Sequence, residues 1–308
     1  MQERNVIMKF KDYIPLYLSS YQTVNTVEHQ TYIRKYLTPY LGDIDLNDIK
    51  PVHVMQALAS ADKLLKTSGT VKKIIYDIKK IMSTAYVNDL CEKDISNGIV
   101  YMPYKRMNDR NKVKSFTKEE IAFIFNEKSF VSDLFFFQFL TGMRAEELLA
   151  LKWTCVNQIN SNYYITICAV ICNDGGHRYY TETTKSRYSR TIKLMPQAVD
   201  IIERLPRIND FVFANQFKRR STDYLTPSWH SSNWVKFFNR RDKEYFELNG
   251  SHLPYLSAHK LRHSFSLISL ESGYNLADLS LYLGHCDTST TTRYYLNGRC
   301  DKLQPPKF

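Results

Sequence analysis

A basic stretch without apolar periodicity interrupts the sequence at residues 101–114, where it reads YMPYKRMNDRNKVK. Five basic residues against one acidic residue, Asp109, give it a net charge of +4, and Pro103 lies near its start. A segment of this kind has no apolar face to bury, which is typical of a linker between domains. The chain of 308 residues is long enough for two domains of ordinary size. We therefore predict domains at 1–103 and 117–308, joined by a basic linker at 104–116.

The basic side chains of this linker are candidates for contact with a phosphate backbone, and a solvated connector is the alternative. They are Lys105, Arg106, Arg110, Lys112 and Lys114. The whole chain has the same tendency, since 42 Lys and Arg against 31 Asp and Glu give a net charge of +11. That excess favours a polyanionic partner, nucleic acid before an anionic membrane.

Composition and patterning exclude several other classes. Hydrophobic residues make up 44% of the chain, with only ten Gly and ten Pro, which excludes a disordered or fibrous protein. No apolar run approaches the roughly 20 residues of a membrane-spanning helix, and the first residues lack a secretory leader. The six cysteines contain no CxxC pair, so we expect reduced thiols in a cytoplasmic protein.

The first hundred residues have the pattern of helices. An amphipathic stretch covers Phe10–Leu18, a second helix begins at Thr26 and ends before Pro39 and Gly42, and Pro51 suits the first turn of a third. A longer helix starts near Thr70, with apolar residues at i, i+3, i+4 and i+7. These residues are Val71, Ile74, Ile75, Ile78, Ile81, Met82 and Ala85.

The opposite face of this helix is basic. Within roughly 120° of arc it carries Lys72, Lys73, Tyr76, Lys79 and Lys80. A solvated face usually mixes charges of both signs, so the stripe favours contact with a DNA groove over an ordinary exposed surface.

The second half combines helices with a few strands. The TKEE sequence at 117–120 predicts a helix start, and Val131–Leu140 predicts a buried helix. Residues 163–171 predict a strand, and residues 173–176 predict a hairpin turn whose second strand runs toward 191–194. From Ser257 the pattern is helical again. The predicted fold class is mainly α, with a helical domain followed by a mostly helical domain that contains a small antiparallel sheet.

Four separated segments of the second half carry unusual chemistry. The first ends in Arg144, the second contains Lys185, the third is HKLRH at 259–263, and the fourth runs from Leu283-Gly284-His285 to Tyr294. Phosphodiester cleavage without a metal needs such groups. Guanidiniums grip phosphate oxygens, imidazoles move protons near neutrality, a lysine can protonate the leaving oxygen, and a tyrosine can be the nucleophile.

In this order the residues resemble those of tyrosine recombinases of the phage and conjugative-transposon integrase group, related to Xer, Cre and lambda integrase. The segments TGMRAEELLALKW, TKSRYSRTIKL, HKLRH and LGHCDTSTTTRYY are similar to the family's motifs. LGDIDLNDIKPVHV and the basic helix resemble the family's SAM-like core-site DNA-binding domain, so the resemblance covers nearly the whole chain. It implies catalytic roles for Arg144, Lys185, His259, Arg262, His285 and Tyr294, with Glu147 holding the site from behind.

The resemblance implies a site-specific DNA recombinase that integrates or excises a mobile element. Tyr294 would attack the scissile phosphate and form a 3′-phosphotyrosyl link, and strand exchange would pass through a Holliday junction. The implied partners are double-stranded DNA, three further copies in a tetramer on two DNA sites, and accessory DNA-bending or directionality proteins, with no membrane partner. No cofactor and no metal are implied, and the expected location is the bacterial cytoplasm, at the nucleoid.

Several alternatives stay open at this point. The chain could bind DNA without cleaving it, resolve chromosome or plasmid dimers as Xer-type enzymes do, or relax DNA as a type IB topoisomerase. Tyr295 competes with Tyr294 as nucleophile, and Arg187, Arg190 and Lys193 compete with Lys185. The spacing of His259 and His263, with His285 and Cys286, also matches zinc ligands, although no HExxH or CxxC motif supports a metal site.

The sequence departs from the family pattern in two places. The core-binding resemblance starts almost at Met1, so we expect no arm-binding domain in this chain, either because the recombinase is simpler or because the polypeptide is truncated. Leu296 occupies the position two residues past Tyr294, where the family often has a histidine.

Overall fold

The computed structural model describes residues 7–20, 26–65, 67–104, 115–174, 177–182, 189–216 and 222–284. The chain divides into two compact units. One comprises Met1–Asn111 with Asp174–His177, and the other comprises Lys112–Asn173 with Arg178–Phe308.

The first unit is helical. Its helices are α1 (Phe10–Ser20), α2 (Thr26–Tyr32), a π-helical turn (Ile33–Leu37), α3 (Thr38–Leu41), α4 (Pro51–Leu64), α5 (Ser68–Val87) and a 3₁₀ turn (Ser96–Gly98). The second helix begins at Thr26 as predicted, and both α2 and the π-helical turn end before Pro39. Pro39 lies in the first turn of α3, where a missing backbone N–H removes no intrahelical hydrogen bond, so the helical path continues to Leu41.

Helix α5 has the predicted buried face. Six of its seven predicted apolar residues, all except Ile75, are fully buried at 0% exposure. The Thr67 hydroxyl accepts a hydrogen bond from the backbone N–H of Thr70 and caps the helix. The same buried face also holds Asp77, which pairs with Nδ1 of His29 on α2 at 2.6 Å. This hydrogen-bonded pair places a buried carboxyl on the apolar face, and it was not predicted.

Residues 101–104, just before the predicted linker, are hydrogen-bonded to the first unit. The buried carboxylate of Asp62 on α4 accepts hydrogen bonds from the Tyr101 hydroxyl at 3.2 Å and from the backbone N–H of Tyr104 at 2.9 Å. The basic side chains from Lys105 to Lys114 lie outside the described residues.

The second unit is built mainly of helices. They are α6 (Lys118–Ile124), α7 (Phe130–Thr141), α8 (Ala145–Leu149), a 3₁₀ turn (Trp153–Cys155), α9 (Pro196–Arg204), α10 (Pro227–Asn249), α11 (His259–Glu271) and α12 (Leu276–Leu283). The TKEE sequence forms the predicted cap. Thr117 Oγ1 accepts from the Glu120 N–H, and the Glu120 carboxylate accepts from the Thr117 N–H.

The strands form two small antiparallel groupings. β1 (Val156–Ile159), β2 (Asn162–Ile167) and β5 (Arg190–Lys193) form a sheet in the order β1-β2-β5, while β3 (Val170–Asp174) and β4 (His177–Thr181) pair separately. Ile165 lies opposite Val156 on β1 and Ile192 on β5. The predicted pairing of the 163–171 segment with 191–194 is therefore confirmed in β2 and β5. The prediction of a single strand over 163–171, joined to that partner by the turn at 173–176, was wrong. The chain leaves the first sheet after Ile167, so the hairpin strands are β3 and β4, and β5 pairs with β2.

An aromatic core holds α7 in place. The Phe135 ring on α7 packs edge-on against Trp234 of α10 at 5.0 Å between centroids, and Phe137 packs against Phe213 at 5.4 Å. The Trp234 indole N–H donates to the carbonyl of Leu256. Because α7 is buried on nearly all sides, its C-terminal end has a fixed position.

The structure bears out the predicted fold class, mainly α with a small antiparallel sheet. Among the described residues no helix is both long and apolar enough to cross a bilayer. The described cysteines, Cys91, Cys155, Cys168 and Cys172, are free thiols.

Candidate active site

The segment before Arg144 is a tight turn that only glycine fits. Gly142 ends α7 with φ of +60°, in the left-handed region. A Cβ atom there would lie 2.7 Å from Leu283 Cδ2 and 2.8 Å from Phe265 Cδ1. The turn is therefore pressed against α11 and against the end of α12, which brings three of the predicted motifs together.

Arg144 begins α8 and is held by Glu147, one turn further on. Glu147 Oε2 accepts the backbone N–H of Arg144 at 2.9 Å, and Oε1 accepts Nη1 of Arg144 at 2.8 Å. The same carboxylate also accepts two hydrogen bonds from Arg190, from Nη1 at 3.0 Å and from Nη2 at 2.7 Å. Glu147 is 2% exposed, so it is a buried anion between two guanidiniums.

The ionised form of Glu147 is strongly favoured. Burial by itself raises the pKa of this carboxyl, but the hydrogen bonds and charge of Arg190, together with the charge and backbone N–H of Arg144, outweigh it. The pKa falls to about 2. Glu147 is thus an anion near neutral pH, and its two oxygens hold the backbone and the side chain of Arg144.

Arg262, on α11, is buried and bridges two backbone carbonyls. Its Nη1 donates to the Gly142 carbonyl at 2.6 Å, and its Nη2 donates to the Leu283 carbonyl at 2.8 Å. The side chain is 4% exposed. It therefore ties the turn before Arg144 to the end of α12, one residue before Gly284 and two before the predicted His285.

His259 is the first residue of α11, and its pKa is lowered. Desolvation by the surrounding protein is the main cause, followed by the positive charge of Arg262, while Glu146 opposes the shift. Lys260 and Arg144 add smaller effects in the lowering direction. The residue is nevertheless exposed to solvent, so a neutral imidazole is available to accept a proton near neutral pH.

The ring of His263 lies 5.0 Å from that of His259, at an interplanar angle of 80°. Among the described residues no cluster of three or more His, Cys, Asp or Glu side chains could hold a metal ion. His285 and Cys286, the other groups in the zinc alternative, lie outside the described residues.

Two buried polar side chains, the amide of Gln138 and the imidazole of His230, hold the turn before Arg144. Gln138 on α7 donates to the Met143 carbonyl at 3.4 Å and accepts a hydrogen bond from His230 Nε2 at 2.8 Å. His230 is 3% exposed and packs edge-on against Phe135. Burial lowers the pKa of His230 to about 4, so this histidine is neutral and structural.

The described residues bring Arg144, Glu147, His259 and Arg262 into one cluster. Three of the predicted site residues, Lys185, His285 and Tyr294, lie outside the described residues, as does Tyr295. The contacts of Arg190, Gln138 and His230 in this cluster were not predicted from the sequence. Arg190 was one of several cations in the TKSRYSRTIKL segment, and no spacing rule distinguishes the one that meets a buried carboxylate.

The predicted DNA-facing side of α5 is accessible to solvent. Lys72, Lys80 and Tyr76 are exposed, Tyr76 at 58%, and Lys79 is half-buried. Lys73 is also exposed, but its Nζ lies 2.8 Å from the Glu28 carboxylate on α2, which offsets part of its charge.

Sequence comparison identifies related proteins for both units. The profile described as "Phage integrase family" matches residues 114–299, and the profile described as "Phage integrase, N-terminal SAM-like domain" matches residues 9–60. The ICEBs1 integrase of Bacillus subtilis is 24% identical over 94% of this chain and 78% of its own length. A probable integrase/recombinase of Acholeplasma phage L2 is 23% identical over 98% and 97%, respectively.

Solved structures share the fold. The Tn1549 transposon integrase, determined in complex with transposon right end DNA, superimposes with a TM-score of 0.72 at 17% identity. That match covers 94% of this chain and 95% of the other. A lambda integrase dimer bound to a COC′ core site gives a TM-score of 0.66 at 14% identity, over 97% and 99% of the two chains.

Proposed function

The chain belongs to the phage integrase family, the tyrosine recombinases, and we propose that it cuts and rejoins duplex DNA at specific sites through a covalent phosphotyrosyl intermediate. The observation that carries this proposal is the cluster around the Gly142 turn. There two buried or half-buried guanidiniums, those of Arg144 and Arg262, are fixed beside a histidine whose pKa is lowered. Such donors can stabilise the charge that develops on a phosphate during transfer.

Each member of the site has a distinct task in the proposed reaction. The Tyr294 oxygen attacks phosphorus, its bond to the 3′-phosphate forms, and the bond from phosphorus to the 5′-oxygen breaks. His259 accepts the tyrosine proton, and Lys185 donates a proton to the departing 5′-oxygen. Arg144, Arg262 and His285 stabilise the pentacoordinate phosphate. The 5′-hydroxyl of a partner strand then attacks the ester and releases Tyr294, and the reaction uses neither a metal nor a nucleotide.

DNA binding is assigned to the basic surfaces outside the site. The exposed residues Lys72, Tyr76 and Lys80 of α5 contact the duplex, with Lys73 and Lys79 beside them. The linker adds phosphate contacts from Lys105, Arg106, Arg110, Lys112 and Lys114. These contacts position the protein, and their contribution to affinity falls with salt.

The proposed working assembly is a tetramer on two DNA sites, acting through a Holliday junction in the bacterial cytoplasm. Relatives named as integrases of a mobile element and of a phage support integration or excision as its role. Accessory DNA-bending or directionality proteins are proposed as further partners. Resolution of chromosome or plasmid dimers is the second candidate, because other relatives are tyrosine recombinases named XerC-like and XerD.

The nucleophile is tested with a nicked duplex that carries the DNA flanking the gene, since a nick lets the cut strand diffuse away and traps the adduct. We expect the wild-type protein to form a 3′-phosphotyrosyl adduct, and Tyr294→Phe to form none while its affinity for DNA changes less than twofold. Tyr295→Phe is the matched control and should form the adduct.

An adduct formed by Tyr294→Phe would refute the assignment of the nucleophile. If the wild-type protein binds this DNA tightly and forms no adduct, the chain is a DNA-binding protein without cleavage activity. Joining of two separate DNA sites distinguishes a recombinase from a topoisomerase, which relaxes one molecule.

A further inference from the structure

Arg190 is a buried cation that the proposed chemistry does not use. It is the first residue of β5, and its side chain is 9% exposed. Three of its N–H groups have protein acceptors. Nη1 and Nη2 donate to the two oxygens of Glu147, and Nε donates to the Tyr282 carbonyl at 3.0 Å. A guanidinium with these partners is fixed in place and is poorly suited to contact DNA.

The Glu147 carboxylate is shared evenly between the two arginines. Each of its oxygens accepts one hydrogen bond from Arg144 and one from Arg190. Two cations and one anion leave the group with a net charge of +1. Without Arg190 the Glu147 charge would cancel that of Arg144, the arginine proposed to grip the scissile phosphate.

Arg190 also lies close in the chain or in space to two further predicted site residues, Lys185 and His285, which are outside the described residues. In sequence it follows the 183–188 segment that contains Lys185. A Cβ atom at Gly284, which has φ of +67°, would lie 2.9 Å from Arg190 Cδ. Gly284 immediately precedes His285 in the chain. From the start of β5, the Arg190 side chain therefore contacts Glu147 in the Arg144 segment and the chain just before His285.

We infer that Arg190 is a positioning residue for DNA cleavage, which acts through Glu147 to orient Arg144 and to keep the cluster positively charged. This inference rests on the proposed function. Because Arg190 makes no contact with DNA in this inference, its removal should lower the rate of cleavage and leave the affinity for DNA unchanged.

The first test compares Arg190→Met, Arg190→Lys and Arg204→Met in single-turnover cleavage of the nicked duplex at saturating protein. Arg204 serves as a control because it also pairs with a carboxylate, that of Asp133, in the same unit, with a more exposed side chain. We expect Arg190→Met to slow cleavage at least about tenfold with DNA affinity unchanged within twofold. Arg190→Lys should recover part of the rate because it retains the charge, and Arg204→Met should stay within twofold of wild type.

The second test asks whether Arg190 acts through Glu147. If it does, the double variant Arg190→Met with Glu147→Gln should be no slower than the slower single variant, because both changes remove the same interaction. Effects that multiply would show independent roles and overturn the inference. So would a rate for Arg190→Met within twofold of Arg204→Met, or a loss of DNA affinity with an unchanged rate at saturation.

The acid side of the pH–rate profile separates positioning from general loss of structure. Without Arg190, Glu147 loses its main stabilising partner, so the Arg190→Met rate should begin to fall at a higher pH than the wild-type rate. A uniform loss at every pH would contradict the inference. If Arg190→Met fails to fold, Arg190→Lys must show a smaller shift in the same direction. A wild-type protein that forms no adduct refutes the proposed function itself, before any variant is compared.

Discussion

Gly142 shows at the scale of one residue how the site depends on close packing. It combines a backbone conformation that L side chains rarely adopt with contacts that leave no room for a methyl group. Its carbonyl also accepts a hydrogen bond from Arg262. A change at this position therefore alters both the path of the chain into Arg144 and the anchor of a second arginine.

Gly142→Ala should destabilise the second unit more than Gly250→Ala does. Gly250 ends α10 with a similar φ of +69°, but nothing lies within 4 Å of a Cβ placed there, so its change adds only backbone strain of about 1 kcal/mol. The clash of Gly142 with Leu283 and Phe265 should add roughly 1–3 kcal/mol. Urea unfolding gives the free energy of unfolding of both variants. Equal losses would show that Leu283 and Phe265 move aside at little cost.

Residues of this kind also mark the limit of the sequence analysis. Arg144 and Arg262 were identified because their motifs resemble those of a known family. The contact of Arg190 with Glu147 was not predicted, because the two residues are 43 positions apart and only the fold brings them together. His230 and Gln138 gave no signal at all, since a polar pair inside an aromatic core has no periodicity of its own.

At the scale of elements, local patterns predicted helices better than the limits of strands. The apolar face of α5 and the cap of α6 follow from contacts within about four residues of sequence, and both were correct. The boundary between β2 and β3 depends on where the chain leaves one sheet for another. A continuous β-branched run conceals that change of direction at residues 168–169.

Helix α5 gives a prediction about the salt dependence of DNA binding. Lys72→Ala with Lys80→Ala removes two exposed cations from the face opposite the core, so the slope of log K against log salt should fall by about 1.8, at about 0.9 per phosphate contact. Lys63→Ala with Lys93→Ala makes the same charge change on exposed lysines elsewhere in the same unit. Equal effects of the two pairs would show that net charge, and not this helix face, governs binding.

At the scale of the whole molecule, the chain has two compact units, and the domain limits drawn at the basic segment stay a prediction. All three tryptophans, Trp153, Trp229 and Trp234, belong to the second unit. Their fluorescence therefore reports the unfolding of the unit that contains the candidate site, even if the two units unfold at different denaturant concentrations.

His230 should make the stability of the second unit depend on pH. Its folded pKa of about 4 lies below its unfolded value, so the unfolded chain binds the extra proton between about pH 6.5 and 4. The stabilisation is complete above this range and is lost as the pH falls through it, a change of about 3 kcal/mol. His230→Gln should flatten this part of the curve in urea titrations followed by tryptophan fluorescence, and parallel curves for the two proteins would contradict the prediction.

Arg262 lies where two helices end. The carbonyls that it contacts close the C-terminal ends of α7 and α12, the negative poles of both helix dipoles. The partial charges of these two poles offset much of the unfavourable desolvation of a buried guanidinium, so the cation is already in place before any phosphate arrives. Ordering of this group is then part of folding, and DNA meets an arginine whose side-chain entropy has already been lost.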